Sequence, residues 1–295
     1  MRDPRRTPMQ TKVLGICLLL IAATGCGDEG PPANEQVRAR IESLAPAANI
    51  GHRGIGPTQP GRPPENSVSS FLAAMEQGAD GVELDVEITA DGQIIVMHDD
   101  TLDRTTDCEG CVSEFTFDEV RACRLLDGNG QPTDERPPTL EESYDAVLDP
   151  GLVNVELKVF GSTCATSTTD ASALVDAALA EVDALGVADR TFFSSFDETA
   201  SRLVKERAPD YYSARLYTAP GDAEDVLAAS LAAGLDAIHP FFLALPESVS
   251  AALDAGLQVN VWTVNEPDQM EANLDKGVTS IITDNPDVLR EILGD

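Results

Sequence analysis

The chain has 295 residues, 42% of them apolar, with 20 Lys and Arg against 51 Asp and Glu and a formal net charge of −31. That composition can bury a sizeable core, in one large domain or two ordinary ones. A charge so negative excludes nucleic acid and anionic bilayers as electrostatic partners, and a site for an anionic substrate must supply its own local cation.

The N-terminus reads as a targeting segment. Arg5, Arg6 and Lys12 precede the apolar run VLGICLLLIAA, which closes on small residues at ATGC, the layout of a secretory signal. The run is shorter than the roughly 18 apolar residues that a transmembrane span wants. Cys26, directly after the small residues, resembles the lipidated cysteine of a bacterial lipobox, with plain secretion as the alternative. Residues 1–25 are therefore expected to be a lipoprotein-type signal. Residues 26–45, opening GDEGPPANEQ, are expected to be a polar, disordered tether, and 46–295 the folded domain. Loss of 1–25 takes Arg2, Arg5, Arg6 and Lys12 with Asp3, leaving 16 basic and 50 acidic residues, a net of −34. The expected location is extracytoplasmic, on a bacterial membrane through the lipid anchor alone.

Strand-like runs follow at 47–52, 80–87, 94–98, 152–158, 190–195, 211–217, 235–239, 257–263 and 279–283. Helical patterns lie between most of them, at 66–77, 139–148, 170–185, 197–208, 222–233, 246–255, 266–276 and 286–293. Thr139 with Glu142 makes a capping box, Pro286 sits at a first helical position, and Gly78, Gly186, Gly234, Gly256 and Gly277 close helices. Segment 94–98 lies too close behind 80–87 for a parallel crossover, so the two should form an antiparallel hairpin turning at Asp91–Gly92. Setting that hairpin aside leaves eight strands alternating with eight helices. The pattern predicts an α/β fold, a (β/α)8 TIM barrel with a hairpin excursion and a cysteine-bearing insertion after its second strand. An open doubly wound sheet is the alternative. With Asp91 and Gly92 as a two-residue loop, Asp85 lies opposite His98, and period-two alternation brings Glu83 onto the same face.

Cys17 leaves with the signal, and Cys108, Cys111, Cys123 and Cys164 remain. An even set in an oxidising compartment implies two disulfides, in any of three pairings; half a zinc site at CEGC is the alternative.

Functional residues of a barrel gather at the carboxyl ends of its strands. Those ends read His52-Arg53-Gly54, Glu83 and Asp85, Glu156 and Lys158, Ser194-Ser195-Phe196, His239, Trp262 and ITDNP. His239, in AIHPFF, reads as a packed strand residue, and the acidic helices read as solvated faces. The other strand ends bring histidine, carboxylates and two cations to one rim, with His98 delivered by the hairpin.

In this order HRG, PENS, ELDV, HDDTLDRTT, PTLEE, ELK, WTVN and ITDNP resemble the glycerophosphodiester phosphodiesterase family, over about residue 49 to the C-terminus. The resemblance implies a (β/α)8 barrel that hydrolyses glycerol phosphodiesters to glycerol 3-phosphate and an alcohol with a divalent cation. It makes His52 and His98 the acid–base pair, and Glu83, Asp85 and Glu156 the metal ligands, with Glu65 a further ligand or a support for them. Arg53 and Lys158 would hold the phosphate, and Phe196 and Trp262 would flank the substrate. Lys158 as an ion-pair partner of Glu156, and Trp262 as barrel packing, are the structural alternatives. Carboxylate ligands suit a hard cation, Ca²⁺ before Mg²⁺ for an extracytoplasmic site. Ser67 stands where the family usually has threonine, and the four cysteines fall outside its core pattern, so the resemblance bears on chemistry more than on substrate choice. Lysophospholipase D or phospholipase D-like activity on lipid phosphodiesters is a neighbouring alternative. A catalytically inactive ligand-binding lipoprotein is one of another class.

Overall fold

The computed structural model describes residues 30–159, 164, 170–219, 223–243, 245 and 249–294. The expected signal, residues 1–25, and the expected lipidation site Cys26 lie outside the described residues. Among the described residues the first element is a helix, α1 (Ala33–Ser43), where the sequence suggests tether. Its only apolar signal is Val37 and Ile41, four apart in a charged run, and both are buried. Burial of two such side chains is worth about 1.5–3 kcal/mol each. They pack with Ala48, Leu152, Phe192, Tyr212 and Ala237 in the barrel interior. Asn34 donates to Asp236, and Arg38 to the Asp236 carbonyl. Asp236 precedes a barrel strand, so α1 closes the amino-terminal end of the barrel. The tether boundary at residue 45 is therefore corrected: the compact unit begins at Pro31.

The barrel elements follow in chain order: β1 (Ala48–His52), α2 (Val68–Glu76), β2 (Gly81–Ile88), β3 (Ile94–Val96), α3 (Phe117–Ala122), α4 (Leu140–Val147), β4 (Leu152–Leu157) and α5 (Ala171–Leu185). Then come β5 (Thr191–Ser195), α6 (Glu198–Arg207), β6 (Tyr212–Tyr217), α7 (Ala223–Ala232), β7 (Ala237–Pro240), α8 (Val249–Asp254), β8 (Gln258–Val261), α9 (Pro267–Asp275), β9 (Ser280–Thr283) and α10 (Pro286–Leu293). Eight parallel strands run β1-β9-β8-β7-β6-β5-β4-β2, and β1 pairs with β2 to close the ring. Val82, Leu84 and Val86 face outward into a core shared with α2, α4 and α5. Period-two alternation then turns Glu83 and Asp85 inward. The Thr139–Glu142 capping box and Pro286 at the start of α10 stand as the sequence predicts.

The hairpin exists, but its register is one residue off the expected one. Val86 pairs with Val96, Glu87 with Ile95 and Ile88 with Ile94. The loop holds three residues, not two, because Gly92 takes a left-handed φ of +78° and closes a turn back to the Thr89 carbonyl. Asp85 consequently faces Met97, whose N–H donates to its carbonyl, and does not lie opposite His98. His98 follows the end of β3 and reaches the rim through the segment beyond it. That segment is the insertion, carrying α3, and it is stapled twice, Cys108 to Cys123 and Cys111 to Cys164. The second bond ties it to Cys164, beyond β4 in the chain. All four cysteines are thereby used, and the zinc alternative falls.

Candidate active site

His-Arg-Gly after β1 makes a sharp turn: Arg53 and Gly54 both have positive φ, +49° and +89°. A Cβ on Gly54 would lie 2.6 Å from backbone atoms of Ser70, so only glycine fits there. The turn aims the Arg53 N–H at Glu83, 3.0 Å away, and its guanidinium at Glu65 (2.8 Å) and Asp85 (3.4 Å). Asn66 also has a left-handed φ, +52°, and its amide donates to Asp85 at 2.8 Å. Strained residues thus cluster where the carboxylates must be held.

Glu83, Asp85 and Glu156 form one group. They offer oxygens within 4.8 Å of one another, and all three are buried. Asp85 and Glu156 are direct neighbours across β2 and β4. Burial, then the like charges of Asp85 and Glu156, push the Glu83 carboxyl well above the ordinary range. For Asp85, burial acts in the same direction but the Lys158 and Arg53 cations override it and hold the group low. Lys158 Nζ lies 2.7 Å from Glu156 and 3.3 Å from Asp85. That Asp85 oxygen, Oδ1, is buried and meets the ammonium as an ion pair without a hydrogen bond. Three buried hard-oxygen donors crowded against their own repulsion fit a divalent cation.

Glu65 lies apart from that group. Its two oxygens take Arg53, the Thr58 N–H and both Nη atoms of Arg104. Burial would raise its carboxyl, but the hydrogen bonds and charges of Arg104 and Arg53 bring it down to about 2.

Both histidines stand at the rim with a carboxylate on Nδ1. His52 Nδ1 lies 2.7 Å from Asp284 and His98 Nδ1 2.6 Å from Asp99. An ionised carboxylate only accepts, so Nδ1 carries the proton and donates, and Nε2 is the nitrogen left for exchange. Asp284 is held by the Asn265 amide at 2.7 Å, and Asp99 by Arg104 Nε at 2.5 Å. Between the histidines lies a cavity of about 50 Å³. Glu83, Glu156, Arg53 and Lys158 form its charged wall, Phe196 and Trp262 its aromatic one. Phe196 and Phe241 each meet the Trp262 ring edge-on, with centroids 5.3 and 5.4 Å away. His239, by contrast, is fully buried within the barrel, accepts from Asn260, and burial lowers its ring to about 3. It is a packed strand residue, as expected.

Asp99, Arg104, Asn265, Asp284 and Phe241 join the site without standing out in the sequence. Four of these five lie inside or beside the quoted strings HDDTLDRTT, WTVN and ITDNP, so the signal was adjacency to residues already chosen.

The fold and rim define a class: a (β/α)8 hydrolase with a buried carboxylate cluster flanked by two histidine–carboxylate pairs. The Glycerophosphoryl diester phosphodiesterase family model matches residues 52–288. A glycerophosphodiester phosphodiesterase of Caldanaerobacter subterraneus subsp. tengcongensis is 34% identical over 245 residues, 81% of this chain and 95% of that protein. One of Bacillus subtilis is 28% identical, over 88% of this chain and 91% of its own. Among solved structures, a glycerophosphodiester phosphodiesterase of Parabacteroides distasonis has 27% identity and a TM-score of 0.67, covering 84% of this chain and 98% of that one. An Oleispira antarctica phosphodiesterase solved with the product sn-glycerol-3-phosphate shares the fold at 24% identity and a TM-score of 0.75, over 86% and 99% of the two chains. The chain belongs to the glycerophosphoryl diester phosphodiesterase family, and it is an enzyme, a phosphoric diester hydrolase.

Proposed function

We propose that the enzyme hydrolyses glycerophosphodiesters to glycerol 3-phosphate and the free alcohol, with His52 and His98 as the acid–base pair. The observation that carries this reading is the matched setting of the two histidines, each with Nδ1 on a carboxylate and each lining one cavity with Glu83 and Glu156 of the acidic cluster. One histidine, neutral, takes the proton of the attacking hydroxyl at Nε2. The other, charged, gives its Nε2 proton to the leaving alcohol oxygen as the P–O bond breaks, while its carboxylate partner holds the ring in place. Such proton transfers contribute about 10²–10⁴-fold. Glu83, Asp85 and Glu156 would hold the divalent cation, Ca²⁺ before Mg²⁺, and that ion would offset the phosphate charge that repels a nucleophile. Arg53 and Lys158 lie on the charged wall, where their cations can meet phosphate oxygens in a protein whose overall field repels anions. The intact set of two histidines and three carboxylates supports catalysis over an inactive binding role.

A second reading, activity on lysophospholipids or related lipid phosphodiesters, is favoured by the aromatic wall. Phe196 is 40% exposed there, and Leu243, beyond Phe241 and Phe242, is 67% exposed. The paired disulfides suit an extracytoplasmic enzyme, and we keep Cys26 as its lipid anchor. Cys26→Ser should release the protein from the membrane fraction if that anchor is real.

The test is hydrolysis of glycerophosphocholine beside a lysophospholipid, with and without chelator. Glycerol 3-phosphate should appear, chelation should abolish turnover, and added Ca²⁺ should restore it. Full turnover in chelator would remove the metal from the scheme.

A further inference from the structure

We propose that Arg104 is a positioning residue for His98, hanging Asp99, and through it the His98 ring, from the buried Glu65 carboxylate. The inference rests on the acid–base reading of His98. Glu65 is the fixed point, 2% exposed and bound from the barrel side by Arg53 and the Thr58 N–H. Arg104 spends one edge of its guanidinium on it, Nη1 at 2.7 Å and Nη2 at 2.8 Å. The other edge goes to Asp99, Nε at 2.5 Å and Nη2 at 2.9 Å. Asp99 Oδ1 then accepts from His98 Nδ1 at 2.6 Å. Only a planar guanidinium offers two such edges at a fixed angle, and an ammonium does not.

The backbone that carries Arg104 is itself tied down. Leu102 N–H donates to the Gly110 carbonyl, Thr106 N–H to that of Leu102, and Asp103 accepts from Gly110. Cys108 and Cys111, on either side of Gly110, are both in disulfides. The Arg104 side chain remains 45% exposed. Its pair with the buried Glu65 stabilises the fold, and its consequence for the reaction lies in orientation. It also gives Glu65 its place: the anchor of a relay that spans the first strand's rim and the insertion.

The experiment measures kcat and KM for glycerophosphocholine with Arg104→Gln, Arg104→Lys, Asp99→Asn, the double variant Arg104→Gln/Asp99→Asn, and His98→Ala. Arg121→Gln is the control, since Arg121, on α3 of the same insertion, binds Glu142 of α4 bidentately and lies outside the contacts that run from Glu65 to His98. Arg104→Gln should lower kcat about tenfold or more with KM within about threefold, the scale of a misplaced catalytic group. Lysine should recover little of it. The double variant should be no slower than Asp99→Asn alone, because both break one chain of contacts. The Tm of Arg104→Gln should fall further than that of Arg121→Gln, because the buried Glu65 carboxylate loses a partner, so kcat is read well below both values. A kcat within twofold of wild type, a loss confined to KM, or an additive double variant would each overturn the proposal. If His98→Ala keeps its activity, the acid–base reading has failed; if it loses activity while Arg104→Gln does not, only the relay has.

Discussion

The two histidines reach the same cavity from opposite kinds of scaffold. His52 ends a barrel strand, and its partner Asp284 follows β9, the strand hydrogen-bonded to β1 on the other side. Asp284 is held by Asn265 from the next turn of the barrel, and Arg62 binds the Asp284 carbonyl and Asn285. Everything that orients His52 is therefore part of the closed ring or directly seated on it. His98 belongs to the excursion, its partner Asp99 is its own chain neighbour, and the support behind Asp99 comes from Arg104. A closed barrel positions a group by strand register, which is costly to change. An insertion must position one by side-chain contacts and staples. The same histidine–carboxylate chemistry thus has one rigid and one assembled origin.

The comparison predicts its largest effect where the two sides should be equal. His52→Ala and His98→Ala should each lower kcat by about a hundredfold or more, read by glycerol 3-phosphate release. A large loss for one and a small loss for the other would end the symmetric assignment. Next in size is Asp284→Asn, expected to cost about tenfold to a hundredfold. The amide can turn its NH₂ toward Nδ1 and impose the wrong tautomer on His52. Combined with Asp99→Asn, which acts on the other ring, the loss should multiply. A double variant no slower than either single would mean that the two pairs do not work separately.

The barrel was legible because its alternation repeats eight times, and an error in one unit leaves seven to correct it. The hairpin has no such redundancy. Asp91–Gly92 announced it, but whether Gly92 is the second or third loop residue depends on one backbone angle that composition does not reveal. The ordered motifs led to the same histidine by a route that does not use strand pairing. α1 was missed because its apolar face is two residues wide and meaningful only against the open end of a barrel. Glu83, Asp85 and Glu156 stood out because strand ends place them together. Asp99 and Asp284 did not, since single carboxylates are unremarkable in a chain with 51 acidic residues. Arg104 was least visible of all: its value lies in partners 5 and 39 residues away.

A smaller effect separates the two scaffolds directly. Replacing Cys111 and Cys164 by serine unties the insertion from the chain beyond β4. Stability should fall by about 2–4 kcal/mol, the usual cost of losing a native disulfide, seen as a lower Tm. The folded fraction should lose kcat several-fold through His98 alone. That loss should shrink when Asp99→Asn is already present and persist when Asp284→Asn is. An equal loss in both backgrounds would mean that the staple supports the whole rim and not the assembled side.

The smallest effect is on stability in acid, and its sign follows from Glu65. Burial would raise this carboxyl, but Arg104 and Arg53 hold it at about 2 against an ordinary 4.5. Between those values the unfolded chain binds more protons than the folded one. The contribution is therefore complete above about pH 4.5 and is lost as pH falls toward 2. Asp284 is also held below its ordinary value of 3.8: burial opposes the shift, and the His52 hydrogen bond prevails. It adds a loss of the same sign on the barrel side. Relief of the chain's negative charge works in the other direction, but nearly equally in wild type and single variants, so differences between them are the readable quantity. Denaturant unfolding from pH 5 to 2.5 should show a flatter acid limb in Arg104→Gln, because Glu65 then titrates nearer its ordinary range. His52→Ala should flatten it separately through Asp284. If the slope of Arg104→Gln matches wild type, Arg104 does not hold Glu65 in solution, and the assembled side of the site loses its anchor.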